Sequence, residues 1–309
     1  LEATGKPFTK LVVQAADEVA ATKPPSRDDF ILALRTKVRL LGSSLIYTMP
    51  MSAGDVFLST GIIAALRKKH PGHRVYFATT GPYYEIVRDL PHAKGLLVDE
   101  VIEWQSWMQD ISLLEDIFDE VYTPNLAVQM VHSNWVHKGR GRNLIDEFAT
   151  QCGVVAEKPI HWPCDATPTR KVGETWVTVH SGGQKSARAY AHWSEIVKNL
   201  RTNGVKVKQV GASDDLAIGE VDLDLRGKVS HRDLPITLAT CDAFVGIDSY
   251  PMHVAANIGV PTVAIFGSSY AHSTGPKNTV VFGDTPTDRS VGIVNTSVLS
   301  TERIVLESV

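Results

Sequence analysis

The chain is 309 residues long, with 31 Lys and Arg against 34 Asp and Glu, a formal net charge of -3 and 43% hydrophobic residues. That composition is globular and the length leaves room for about two domains, while the slight acidity excludes a chain drawn as a whole to nucleic acid or an anionic membrane. There is no run of about eighteen apolar residues to span a bilayer, and Cys152, Cys164 and Cys241 are widely spaced without a CxxC pair, so neither a disulfide framework nor a zinc site is indicated.

The opening residues, LEATGKPFTK, lack the charged-then-apolar layout of a signal peptide, so a cytoplasmic protein with at most peripheral membrane contact is expected. Residues 1–41 carry two helical patterns, Phe8 to Ala21 and Asp29 to Leu41, divided by Lys23-Pro24-Pro25, with Ser26 as a cap for the second. They read as a helical extension, either a packed accessory or an element for oligomerisation or acceptor docking. From Leu45 the alternation of an α/β domain begins (42–165). Its strands are Leu45–Met49, Arg74–Thr79, Leu96–Ile102 and Glu120–Thr123, and its helices Gly54–His70, Tyr83–Asp89, Ser112–Phe118 and Asn143–Cys152. Before the last helix, His132 to Arg142 (HSNWVHKGRGR) is polar, basic and glycine-interrupted, as a surface loop is.

Glu157 to Gly173, with Pro159, Pro163 and Pro168, reads as an interdomain linker. A second α/β domain (166–309) follows. Strands are expected at Trp176–Val179, Val205–Val210, Ala243–Ile247, Pro261–Phe266 and Thr279–Phe282, and helices at His192–Thr202, Arg232–Thr240, Met252–Ile258 and Thr301–Leu306. Ala243–Ile247 and Pro261–Phe266 are too apolar to have a wet face, so they are expected to be central parallel strands with the helix between them as a right-handed crossover. Ligands of such sheets sit beyond the carboxyl ends of the strands, where Asp248, Ser249, His253 and Gly267-Ser268 gather.

Four sets of residues carry candidate chemistry. Asp55 stands at the start of the helix after the first strand, which puts a carboxylate at the mouth of the sheet; the same position suits a helix cap worth roughly 0.5–2 kcal/mol, and Gly54 before it a tight turn. The loop from His180 through Ser181 and Gly182 to Arg188 follows a strand and precedes a helix. Its small residues free backbone N–H groups and Lys185 and Arg188 supply cations, which suits a diphosphate, although an ordinary connecting loop has the same look. Asp214 and Asp215 follow the second strand, where a carboxylate holds ribose hydroxyls or caps a turn. Ser249 and the helix behind it suit a phosphate, with Asp248 beside it and His253 one turn further on, where a histidine is as readily structural. No D-x-D or other metal-ligand spacing is visible.

The stretch D-S-x-P-x-H-x-A-A-x-x-G-x-P-T-V-x-I-F-G, Asp248 to Gly267, resembles the donor motif of glycosyltransferase family 9, the bacterial lipopolysaccharide heptosyltransferases. Ala53-Gly54-Asp55-Val56, Leu58, Thr60, Ala64 to Leu66 and His70-Pro71-Gly72 resemble that family's amino-terminal motif, in the right order. The resemblance implies a GT-B fold, two Rossmann-like domains facing across a cleft. It also implies inverting transfer of a sugar from a nucleotide-diphosphate sugar, ADP-heptose by default, to a hydroxyl of a lipopolysaccharide-type saccharide, and with no metal-ligand spacing visible that transfer is expected to be metal-independent. No cofactor is implied beyond that co-substrate. Asp55 would be the general base and Gly54 the place where the acceptor nears the backbone. His180, Ser181, Gly182, Lys185, Arg188, Asp214, Asp215, Asp248, Ser249 and His253 would surround the donor, and Leu225-Arg226-Gly227 would line the base pocket.

Two departures leave other substrates open. Arg188 to Ala191 reads R-A-Y-A where the family has K/R-x-W-P, so either Lys185 or Arg188 is the phosphate ligand; Tyr250 replaces a small residue, which implies a narrower or differently shaped sugar pocket. A hydroxymethylated base in DNA is one alternative acceptor, and a non-catalytic nucleotide-sugar binding module on the same fold is the other alternative. On the acceptor side, Arg140 and Arg142, with Lys138, Trp135 and His137, and a second set of Arg67, Lys68, Lys69, His70 and Arg74, suit a phosphorylated saccharide, a nucleic-acid backbone or simply solvent. The acidity of the chain favours the saccharide.

Overall fold

The computed structural model describes residues 26–93, 95–125, 143–164, 173–182, 189–266, 271–275 and 280–281. The expected helices at Phe8–Ala21 and Thr301–Leu306 and the basic loop 132–142 lie outside these residues.

A four-stranded parallel sheet forms the first half. Its strands are β1 (Ser44–Thr48), β2 (Arg74–Thr79), β3 (Glu100–Glu103) and β4 (Glu120–Tyr122), in the order β3-β2-β1-β4. Every residue of β1 is buried, as expected of a strand with neighbours on both edges and helices on both faces. On one face lies helix α1 (Arg27–Leu41), whose Ile31, Leu34 and Val38 pack with Ile46, Tyr76 and Ile102; Ser26 caps it by accepting the Asp29 N–H. Residues 27–41 thus form one layer of the sheet's packing, held also by Lys37 to Glu100 at 3.1 Å. On the other face lies α2 (Ala53–Lys69), buried continuously from Val56 to Leu66. A helix apolar all round must have neighbours all round, and α2 is packed between its own sheet and the second half. Helix α3 (Leu144–Gln151), capped by Asn143, packs beside it.

The second half is a six-stranded parallel sheet of β5 (Trp176–His180), β6 (Lys206–Gln209), β7 (Leu223–Asp224), β8 (Ala243–Ile247), β9 (Thr262–Ile265) and β10 (Val280–Val281). Their order is β10-β9-β8-β5-β6-β7. Numbered from its own first strand this is 3-2-1-4-5-6, the doubly wound dinucleotide-binding order, whose direction reverses between β5 and β8. Helices α4 (Trp193–Thr202), α5 (Leu234–Ala239) and α6 (Tyr250–Ile258) complete it. Gly259, at φ +87, ends α6 in the left-handed conformation that helix ends favour.

Some boundaries differ from the sequence reading. Tyr83–Asp89 is a 3-10 turn (Gly81–Tyr83) and a single helical turn (Tyr84–Val87), stopped before Asp89, which takes φ +63. The strand expected over Leu96–Ile102 divides: Gly95–Leu96 turns back on Pro91–His92 as a small hairpin, and pairing resumes at Glu100. The helix expected from Met252 begins at Tyr250, because Pro251 falls in its first turn, where a missing N–H costs nothing. Two-residue β7 went unexpected, being too short to show a period.

The halves share one apolar cluster that runs from Leu45, Phe57 and Ile62 to Tyr250, Met252 and Phe266. Polar contacts lock it at the edges. Asn257 Nδ2 donates to the Pro159 carbonyl at 3.0 Å, and Asn143 Nδ2 to the Gly275 carbonyl at 3.0 Å. The Arg232 guanidinium stacks 3.9 Å over Trp162, whose indole N–H donates to the Glu85 carbonyl.

Candidate functional site

The carboxyl ends of both sheets open into one cleft of about 610 Å³. Pro50 to Asp55, the turn from β1 into α2, forms one wall; Asp248, Ser249, Tyr250 and His253, the turn from β8 into α6, forms the other. Tyr83, Leu144 and Thr274 complete the lining. The second wall stands at the reversal point of its sheet, where doubly wound folds hold their ligands.

Asp55 is the third residue of α2, half-buried. Its Oδ2 accepts the Ser52 backbone N–H at 3.0 Å and the Ser52 hydroxyl at 2.7 Å, a capping box at the positive end of the helix. Both bonds fall on one oxygen; Oδ1 makes no hydrogen bond among the described residues. The side chain therefore caps the helix and still presents an acceptor to the cleft. Gly54 is buried and its φ is not positive, so a tight turn does not explain it. A Cβ built there would stand 3.4 Å from His253 Cδ2: the missing side chain makes room for the imidazole of the opposite domain.

On the far wall, Asp248 is 3% exposed and accepts the Thr274 hydroxyl at 2.9 Å. His253 Nε2 stands 4.0 Å from Asp248 Oδ1. His253 and Thr274 also border a second, more apolar cavity of about 440 Å³ between α2, α3 and α6. Ser249 is the N-cap of α6. Its hydroxyl lies 2.9 Å from His180 Nδ1, and His180 Nε2 lies 3.1 Å from Asp215 Oδ2, so three candidates from three separate turns join in one hydrogen-bonded chain. Burial, the largest single influence, raises the Asp215 carboxyl. The hydrogen bond and charge of His180, the Ala212 N–H and Arg226 outweigh it, and the net shift is downward.

The remaining candidates divide. Ser181 is buried and spends its hydroxyl on structure, donating to the Leu216 carbonyl at 2.7 Å and accepting Gln209 Nε2 at 3.0 Å. Gly182 has φ +65 and no room for a Cβ against Ile247, so the chain can turn there only as glycine. Asp214 is exposed and makes no hydrogen bond among the described residues. Arg226 grips Asp224 with Nε and Nη2, holding that carboxyl down to about 2, while Nη1 donates to the Asp215 carbonyl. Lys185, Arg188, Arg140, Arg142 and Gly267-Ser268 lie outside the described residues.

Tyr250 lines the cleft. It turns into the domain interface, edge-on to Phe57 at 5.8 Å, and its hydroxyl donates to the His231 carbonyl at 3.2 Å. The basic set at the end of α2 is largely spent locally: Arg67 binds Asp99, Lys68 pairs with Glu157, and Lys69 donates to the Cys152 carbonyl. Thr274, Tyr83 and Asn143 were missed by sequence reasoning. Ser52 was findable, since S-x-x-D before an apolar run is a capping signature. Among the described residues no group of three or more His, Cys, Asp or Glu could hold a metal ion, and no helix is long and apolar enough to cross a membrane.

Comparison with known proteins bears out the resemblance. The model of glycosyltransferase family 9 (heptosyltransferase) matches residues 166–288, the second sheet and its helices. Lipopolysaccharide heptosyltransferase 3 of Escherichia coli is 26% identical over 111 residues, 32% of this chain and 33% of that protein. The chain spans about a third of the length of the curated relatives it matches. Among solved structures, E. coli ADP-heptose LPS heptosyltransferase II superposes with a TM-score of 0.62 at 16% identity, covering 86% of this chain and 98% of the other. The iron-containing dodecameric glycosyltransferase TibC from enterotoxigenic E. coli superposes with a TM-score of 0.61 at 14% identity, over 86% and 77%. The fold is GT-B, and the second half is similar to the heptosyltransferases of family 9.

Proposed function

We propose that this family 9-like chain is an inverting glycosyltransferase that moves a sugar from a nucleotide-diphosphate sugar to the hydroxyl of a saccharide. The observation that carries the reading is one cleft with Asp55 on one wall and Asp248, Ser249 and His253 on the other, at the carboxyl ends of two parallel sheets. Asp55 takes the acceptor hydroxyl's proton as that oxygen bonds to the anomeric carbon. The bond from that carbon to the phosphate oxygen breaks, and its electron pair leaves with the nucleoside diphosphate. Ser249, the N–H groups at the start of α6, and Lys185 or Arg188 meet the departing charge, so that no metal is needed.

ADP-heptose is the proposed donor and a lipopolysaccharide-type saccharide the proposed acceptor, on the strength of the relatives' names. The local pairing of Arg67, Lys68 and Lys69 leaves little charge there for a nucleic-acid backbone. Cys152, Cys164 and Cys241 form no disulfide among the described residues, which suits a reducing compartment. The test is thermal unfolding with ADP-, GDP-, UDP- and CDP-sugars, followed by assay of released nucleotide. A ligand at a hundred times its dissociation constant adds about 2.7 kcal/mol, and ADP-heptose should stabilise most and release ADP slowly even without acceptor. Stabilisation with no release under any acceptor would make the chain a binding module; no stabilisation by any nucleotide sugar would reject the reading.

A further inference from the structure

The hydroxyl of Ser249 has one proton and two acceptors in reach, His180 Nδ1 at 2.9 Å and the Ile247 carbonyl at 3.0 Å. Which one receives it depends on His180. That residue is 6% exposed and walled in: a Cβ built on Gly211 would stand 3.1 Å from its ring Cδ2, and one on Gly246 3.4 Å from its Cβ. Its Nε2 faces Asp215 Oδ2, which also accepts the Ala212 N–H at 2.8 Å. A carboxylate only accepts, so Nε2 carries a hydrogen in both charge states of the ring, and Nδ1 is the nitrogen that changes. In the neutral ring Nδ1 accepts, and it takes the Ser249 proton. In the charged ring Nδ1–H donates to Ser249 Oγ, and the serine proton turns away, toward the Ile247 carbonyl or an anionic oxygen in the cleft.

We propose that His180 is a positioning residue for the donor diphosphate: binding of the diphosphate beside Ser249 draws a proton onto His180 Nδ1, which turns the Ser249 hydroxyl onto a phosphate oxygen. The proposal rests on the nucleotide-sugar reading above. Asp215 is the charged group in contact with the ring among the described residues, on the segment after β6, and Arg226 stands behind it, its Nη1 2.7 Å from the Asp215 carbonyl. The turn from β8 to α6 contributes the Ser249 hydroxyl. Lys185 and Arg188, on the loop after β5, lie outside the described residues. The carboxylate holds the Nε2–H, and the helix end supplies the field that holds the phosphate.

The experiment is calorimetric titration with ADP-heptose, whose diphosphate diester has no titrating proton near neutral pH, at several pH values and in buffers of different ionisation enthalpy. The wild type takes up a proton on binding, and over the linked range its dissociation constant rises with pH, by up to about tenfold per unit. His180→Gln binds with that uptake gone and a flat pH dependence. Ser249→Ala removes one oxygen and keeps the imidazole, so it carries the test even where His180→Gln fails to fold, and it too loses the uptake. Wild-type binding without proton uptake, or uptake retained by Ser249→Ala, overturns the proposal and leaves the nucleotide reading standing. No binding of ADP-heptose by the wild type overturns both.

Discussion

Gly54 and His253 meet where the two domains touch, with 3.4 Å between His253 Cδ2 and the place a methyl group on Gly54 would occupy. The glycine comes from the turn that carries Asp55, the histidine from the helix that Ser249 caps, so this contact sets the two walls of the cleft against each other. A methyl at that distance is in ordinary contact, and a longer side chain has nowhere to go but into the imidazole. Gly54→Ala is expected to fold and to gain up to about 1 kcal/mol from helix propensity. Gly54→Leu is expected to displace His253 and lower donor turnover at least about tenfold, the range of a small misplacement of reacting groups. Thermal unfolding and ADP release measure the two effects; wild-type turnover in Gly54→Leu would show that the contact does not align the site.

Asp55 caps α2, and the proposed function gives it a second role as general base that substitution separates from the first. Asp55→Asn keeps an oxygen for the Ser52 N–H, so folding and nucleotide affinity should change little while turnover falls by roughly 10²–10⁴-fold, the range of a general base. Ser52→Ala should do the reverse, costing about 0.5–2 kcal/mol of stability as the cap is lost, with a much smaller loss of turnover. Urea unfolding and initial rates on both variants give the comparison. Equal turnover in wild type and Asp55→Asn would reduce the aspartate to a cap.

Much of the fold was legible because its central strands are short apolar runs bounded by polar turns. Arg74–Thr79 and Ala243–Ile247 fall where the sequence puts them, and Ser26 caps α1 as its position before the apolar period suggests. The meeting of Asp55, Asp248, Ser249 and His253 in one cleft follows from their shared place after parallel strands. What local pattern could not carry are pairings across the chain. Asp215 meets His180 over 35 residues and Thr274 meets Asp248 over 26, and neither pair has a sequence signal. Tyr250 shows the same limit: its place in the motif was readable, but the direction of its ring is decided by Phe57 on another domain.

The Asp215–His180 pair also makes a prediction about acid. The Asp215 carboxyl is lowered on folding, since His180, the Ala212 N–H and Arg226 together outweigh the opposing effect of burial. A group lowered in this way contributes stability that is complete above its unfolded value, about 3.9. That contribution is lost as pH falls through the folded value. Asp215→Asn should therefore be less stable than the wild type at pH 7 and at pH 5, and the deficit should shrink below about pH 4. Urea unfolding across that series reads it directly. A deficit that stays constant down to pH 3 would assign the loss to packing instead of charge.

The last prediction concerns the charge of the departing diphosphate. The described part of the cleft offers it hydroxyls and a helix amino end but also two carboxylates, Asp55 and Asp248. Dipoles alone would meet that charge poorly, and cations on the approach would meet it well. Lys185 and Arg188 are the nearest in sequence, on the loop that Gly182 opens between β5 and α4. Lys185→Ala and Arg188→Ala should each weaken ADP by about ten- to a hundredfold, the worth of a hydrogen bond to a charged group. They should leave adenosine nearly untouched, and the larger loss identifies which of the two holds the phosphate. With the charge met by side chains, EDTA should leave ADP affinity and turnover unchanged. If instead both variants bind ADP normally and EDTA abolishes turnover, a metal ion neutralises the diphosphate and the assignment of this loop is wrong.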